Sequence, residues 1–147
     1  MAKRFKNSTP ILLRQVNRLK TQVCELKESL RHSTALNRAV FEHSPVGISV
    51  RLNSGKLVSV NQAWKKIWKL TDRQIQENER KSKHWTLLQR YPYLKDAAPY
   101  VQRIFEKGGE LFLPELRVVN PKTGAVKWIS QYYYAIQNEK HKVEHVV

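Results

Sequence analysis

Arg51, Glu115, Arg117, Gln131 and Tyr133 fall on one alternating set along the strands that the sequence predicts. Successive side chains of a strand point to opposite faces. One set is therefore Ser49, Arg51, Glu115, Arg117, Val119, Ile129, Gln131 and Tyr133, and the other is Ile48, Val50, Leu116, Val118, Trp128, Tyr132 and Tyr134. An arginine offers a planar fork that pairs bidentately with a carboxylate, while amide and phenol groups orient what the fork holds. That is the chemistry of recognition. Catalysis finds little support, because the chain has no glycine-rich phosphate loop, no Cys/His cluster at metal spacing and no nucleophile in a known motif. No metal site is expected, and His32, His43, His84, His141 and His145 are scattered as solvated or locally bonded residues would be. The competing reading of Arg51 and Arg117 is that they pair with Glu115 or reach into solvent.

Elements must place these residues. Leu12, Val16, Leu19, Val23, Leu26 and Leu30 recur at alternating spacings of four and three, the seam of a coiled coil. With Val16, Val23 and Leu30 at the a positions and leucine at every d position, the pattern favours a parallel homodimer. The expected organisation is a basic flexible tail over residues 1–10, a coiled-coil dimerisation helix over 11–35 and a globular domain over 36–147. Ser33-Thr34 loosens the seam before Leu36, Val40 and Phe41 resume an apolar face, so a second short helix is expected there, stopped by Ser44-Pro45. Two β runs, 47–52 and 56–60, flank the turn Asn53-Ser54-Gly55. Asn61 is placed to cap a helix that carries Trp64, Ile67 and Trp68 on one face, and Thr71-Asp72 caps another. The charged stretch 76–83 reads as a surface loop, followed by the aromatic-rich segment from Trp85 to Tyr91-Pro92. A helix over 95–107 buries Ala98, Val101, Ile104 and Phe105 and ends at Gly108-Gly109. Strands over 110–119 and 125–137 follow, joined by a turn through Asn120 and Gly124, with a further strand over 142–147. The order predicts an α+β fold.

The composition bounds what partners to expect. A net charge of +15 invites a phosphate partner, and residues 1–34 carry eight basic residues against Glu25 and Glu28. Pro10 cuts the basic arm short, whereas a leucine-zipper DNA reader needs a long uninterrupted basic helix. Nucleic acid or an anionic membrane is thus only weakly suggested by charge, and surface solvation is the default. The alternative function is a nucleic-acid- or membrane-associated adaptor or transcriptional regulator that uses the coil and the arm. Salt dependence of binding separates the two readings. No apolar run approaches the ~20 residues that span a bilayer, which predicts a cytoplasmic location. Cys24 falls on the outer surface of the coil as an inert thiol.

The run Phe41-Glu42-His43-Ser44-Pro45-Val46-Gly47-Ile48, the Ser54-Gly55 turn and Val60-Asn61-Gln62-Ala63-Trp64 resemble the opening of a PAS domain. Trp85 through Tyr91-Pro92, then Glu115-Leu116-Arg117-Val118, then Gly124 with Trp128 four residues on, are similar to the second half of PAS domains in bacterial sensor proteins. The resemblance covers about 36–147. It implies a five-stranded antiparallel sheet with short flanking helices that cups a small-ligand pocket. It also implies a non-catalytic sensory role that feeds an output domain, such as a diguanylate cyclase or histidine kinase, through coiled-coil helices. By the same resemblance Val119, Ile129, Gln131 and Tyr133 face the pocket. With them go Arg51, Glu115 and Arg117, around a carboxylate-like ligand. The resemblance argues against haem, since the helix over 95–107 has no histidine, and against a flavin photocycle, since Cys24 lies in the coil. The cofactor stays unknown. Departures from the family pattern are a loop after Val118 one residue longer, Leu52 at an often acidic position, and an end at Val147 that suggests a sensory fragment.

Overall fold

The computed structural model describes residues 8–81, 92–120 and 123–147, and divides into two units, Met1–Glu42 and His43–Val147. The first unit is a helix, α1, which runs unbroken over Ser8–His43. Two expectations change here. The helix begins inside the expected tail, with Pro10 in its first turn where a missing N–H costs nothing, and Ser33-Thr34 remains helical. A polar pair between two apolar heptads does not break a helix that carries good formers on both sides. The seam residues Leu12, Val16, Leu19, Val23, Leu26 and Leu30 are all exposed along α1. The helix stops at Ser44-Pro45, where the Ser44 hydroxyl accepts a hydrogen bond from Val46 N at 3.2 Å.

The second unit is built on a five-stranded antiparallel sheet. Its strands are β1 (Ser49–Leu52), β2 (Leu57–Val60), β3 (Glu110–Val119), β4 (Val126–Gln137) and β5 (Val143–Val146), in the spatial order β2-β1-β5-β4-β3. The last strand therefore lies in the middle of the sheet, bonded to β1 on one side and β4 on the other. Among the described residues, three helices and a 3-10 turn lie between the halves: α2 (Gln62–Trp68), α3 (Asp72–Lys81), the turn Pro92–Leu94 and α4 (Ala98–Lys107). The core is the junction of α4 with the sheet, where Leu94, Val101, Ile104, Phe105, Ala135, Val143 and Val146 are buried together. Gly108 and Gly109, with φ of 85° and 98°, turn the chain from α4 into β3 at a conformation that L side chains avoid.

The expected loop over 76–83 is helical as far as Lys81. The expectation fails because Arg, Glu, Gln and Lys are good helix formers as well as surface residues. Thr71 Oγ1 accepts from Gln74 N at 3.3 Å while Gln74 Oε1 accepts from Thr71 N at 2.9 Å, a reciprocal capping box that starts α3. Residues 82 and 83 lie outside the described residues, as does the aromatic stretch from Trp85 to Tyr91.

Gly47 is where backbone meets backbone. A Cβ built there lies 2.7 Å from Ile67 Cδ1 and 3.1 Å from Trp64 Cα, so only glycine lets this strand approach pass under α2. Gly47→Ala is expected to lower the stability of the domain by about 1–3 kcal/mol through overpacking. A thermal melt followed by circular dichroism reads it, and an unchanged midpoint refutes the close-approach argument.

Candidate ligand-binding cavity

Asn61 organises one end of the cavity. Its side chain is fully buried, and Oδ1 accepts from both Ile48 N and Trp64 N at 2.9 Å while Nδ2 donates to Val46 O at 2.8 Å. One amide thus caps α2 and fixes the segment that enters β1. The capped helix presents Trp64 and Trp68, whose ring centroids lie 6.1 Å apart, and Tyr93 stacks on Trp68 at 6.0 Å. Lys127 of β4 donates to Ile67 O near the end of α2 and holds its ammonium 5.9 Å from the Trp68 ring centre.

Between this aromatic wall and the sheet lies a cavity of about 840 Å³. That is within the range of sites that enclose a small molecule, roughly 300–1,000 Å³. Ile67, Leu94, Phe105 and Val146 add apolar lining, and Ser49, Arg51, Asn78, Glu79, Gln131 and Tyr133 supply polar groups. Arg51 Nη1 donates to Gly55 O at 2.9 Å and lies 3.9 Å from Glu79 Oε1. Glu79 Oε2 accepts from Leu57 N at 3.2 Å, so α3 is tied to the β1–β2 hairpin beside the arginine. The Tyr133 hydroxyl donates to Gln131 Oε1 at 2.8 Å. The described lining residues offer a flat apolar body to a ligand, one cation, one anion and an amide–phenol pair.

Of the seven residues expected at the pocket, Arg51, Ile129, Gln131 and Tyr133 line this cavity, and Glu115, Arg117 and Val119 do not. The correction has a local cause. Leu113 pairs with Gln131 but Leu116 pairs with Ile129, a slip of one residue across Pro114 and Glu115. Proline lacks the N–H that the ladder needs, and an extra residue at such a bulge reverses which face the following side chains take. Before the bulge Leu111 and Leu113 turn inward, and after it Leu116 and Val118 do, while Arg117 pairs with exposed Trp128 and Val119 with exposed Val126. Glu115 borders a shallow depression with Pro114, Trp128 and Ser130 on the outer side. Leu116 and Val118, expected outside, are the inner residues of this half of β3.

Asn78, Glu79, Trp64, Trp68 and Tyr93 also line the cavity, beyond the residues that strand alternation predicts. The signal for the tryptophans was present in their spacing on α2. Glu79 had none, because its placement depends on α3 being a helix. On the outer face Phe112, Trp128, Tyr132 and Tyr134 are all more than half exposed. Tyr132 donates its hydroxyl to Glu110, and that bond raises the phenol above its ordinary pKa, since ionisation would set two negative charges side by side. Among the described residues no group of histidine, cysteine and carboxylate side chains could hold a metal ion, and no helix is long and apolar enough to cross a membrane. His84 lies outside the described residues.

Comparison with known proteins agrees with this architecture. Residues 35–107 match the PAS domain family. A crystallised domain of the sensory box sensor histidine kinase/response regulator from Geobacter sulfurreducens is 21% identical with a TM-score of 0.51, over 80% of this chain and 94% of that one. The PAS domain of the HTR-like protein from Haloarcula marismortui is 15% identical with a TM-score of 0.51, over 83% of this chain and 93% of that one. No functionally curated protein matches the sequence. The chain carries a PAS domain, preceded by a long amino-terminal helix.

Proposed function

We infer that the chain is a non-catalytic sensory module. Its PAS cavity takes up a small ligand, and α1 pairs with α1 of a second copy to pass the response to an output domain. The observation that carries this reading is the 840 Å³ cavity, walled by stacked aromatic rings and edged by Arg51, Gln131 and Tyr133. The likeness to a domain of a sensor histidine kinase/response regulator supports an output of the kinase kind. α1 ends at His43, where the second unit begins, so the chain itself links the domain to the helix. A ligand shifts the two arrangements of such a helix only by its difference in affinity for them, and couplings of about 1–3 kcal/mol are typical.

Native mass spectrometry of freshly purified protein tests ligand uptake directly. A co-purifying small molecule supports the reading. Thermal shift against a panel of small carboxylates locates the site: Gln131→Leu is expected to change the stabilisation by bound ligand and Arg117→Ala to leave it as it is, because the bulge puts Arg117 on the outer face. If Arg117→Ala alone abolishes the shift, the ligand binds outside the cavity.

A further inference from the structure

The apolar seam of α1 does not end at Leu30. Because the helix runs unbroken through Ser33-Thr34 to His43, the heptad that sets Val16, Val23 and Leu30 at a and Leu12, Leu19 and Leu26 at d continues with Ser33 at d, Asn37 at a and Val40 at d. Val40 and the adjoining Leu36 are exposed on the single helix, as the earlier seam residues are. Asn37 therefore lies inside the stripe and not beyond its end. Any pairing of α1 that buries Val40 also encloses this amide, and an enclosed amide that finds no hydrogen-bonding partner is costly. The flanking positions carry a preference of their own, with Lys20 and Lys27 at e and Gln15 and Gln22 at g.

We propose that Asn37 is the register lock of the α1 pair: its partner is the same residue of a second copy, and the amide-to-amide contact forms only when the two helices run parallel and in register. This deepens the reading of α1 as the pairing helix and rests on it. In that arrangement a faces a, so each amide supplies a donor and an acceptor to the other. A slip of one heptad sets Asn37 against the partner's Leu30 instead. Inverting one helix so that Val16 to Val40 still overlap sets Asn37 against the partner's Leu19 and Ser33 against the partner's Val23, which strands polar groups on apolar ones. Charge at the flanks points the same way. Parallel helices bring g of one against e of the other, so Lys20 and Lys27 meet the amides of Gln15 and Gln22, whereas inversion brings e against e and Lys27 against its own copy. The lock weakens the pair and selects one geometry, since an apolar residue in this layer would bind more tightly without choosing.

Pulsed electron paramagnetic resonance on the full chain reads the orientation, with Cys24→Ser removing the native thiol and Arg38→Cys, at an exposed b position of α1, carrying a nitroxide. Parallel in-register helices hold the two labels at one level, about 20–30 Å apart across the pair. The overlapped inverted pair offsets them by about 30 Å along the axis, which takes their separation to about 40 Å. With Asn37 in place, the labelled chain is expected to give the short distance alone and to sediment as a dimer. Asn37→Val is expected to associate at least about tenfold more tightly and to lose the single state, adding the longer distance or a trimer mass. Asn37→Lys keeps a polar residue in the layer and is expected to weaken the dimer while retaining the short distance. The long distance with Asn37 present, or an Asn37→Val chain that remains a single parallel dimer, would overturn the register lock and leave α1 as the pairing helix. A labelled chain that stays monomeric at the highest concentration reached, or a dimer that survives lysine at both Leu19 and Val23, takes away the α1 pairing itself.

Discussion

Asn61→Ala is expected to cost the domain about 3–5 kcal/mol, enough to unfold a marginal protein. The side chain is fully buried and makes three hydrogen bonds to backbone, so truncation strands Ile48 N, Trp64 N and Val46 O in a place that water reaches poorly. Each stranded group carries a desolvation penalty of about 1–3 kcal/mol, partly relieved where the backbone can shift. Losing the N-cap of α2 accounts for about 1 kcal/mol of the total. Asn61→Asp keeps both acceptor bonds but sets a buried carboxylate oxygen against Val46 O where the donor was, so it is expected to be destabilising as well. Urea unfolding followed by tryptophan fluorescence measures all three proteins, since Trp64 sits on the capped helix. An alanine variant within 1 kcal/mol of the native chain would mean that the clamp is decorative. The same experiment bears on function, because Asn61 sets the position of Trp64 and of the strand that carries Arg51.

What was legible in the sequence was mostly local. Asn53-Ser54-Gly55 and the Asn120 to Gly124 turn announced two hairpins, and Gly55 and Gly124 do take φ of 82° and 70° there. The apolar spacing of Ala98, Val101, Ile104 and Phe105 located the helix that closes the core. Asn61 was recognisable as a cap because its type and its place before an apolar face are local facts. Its two bonds back to Val46 O and Ile48 N were not, because they depend on a chain reversal that no spacing encodes. The position of β5 between β1 and β4 was hidden for the same reason: the order of strands is decided by packing across the whole domain. The outward placement of Glu115, Arg117 and Val119 turned on one bulge at Pro114, where a single inserted residue inverted half a strand. Glu79 lines the cavity with no signal in the sequence. A glutamate in a polar run carries no mark of burial, and only the reach of α3 to Leu57 N brings it to Arg51.

Replacing Leu19 and Val23 together with lysine is expected to abolish dimerisation at micromolar concentration. Both side chains are exposed on the isolated helix, at 59% and 47%, and only a second copy of the seam would bury them. Burying a leucine or valine contributes about 1.5–3 kcal/mol, and the double variant removes four such groups from each dimer while setting lysines against one another across the axis. The repulsion adds to that of Arg18, Lys20 and Lys27, which already make this helix basic. A dissociation constant raised by on the order of a thousandfold or more is therefore expected. The unit from His43 to Val147 has its own core around Val101 and Phe105 and should stay folded. Circular dichroism is expected to lose helix signal and keep the strand signal, because a lone amphipathic helix is only marginally stable in water. Analytical ultracentrifugation decides the matter. If the variant stays fully dimeric, α1 is not the main interface, and the exposed outer face of the sheet at Trp128, Tyr132 and Tyr134 becomes the surface to mutate next.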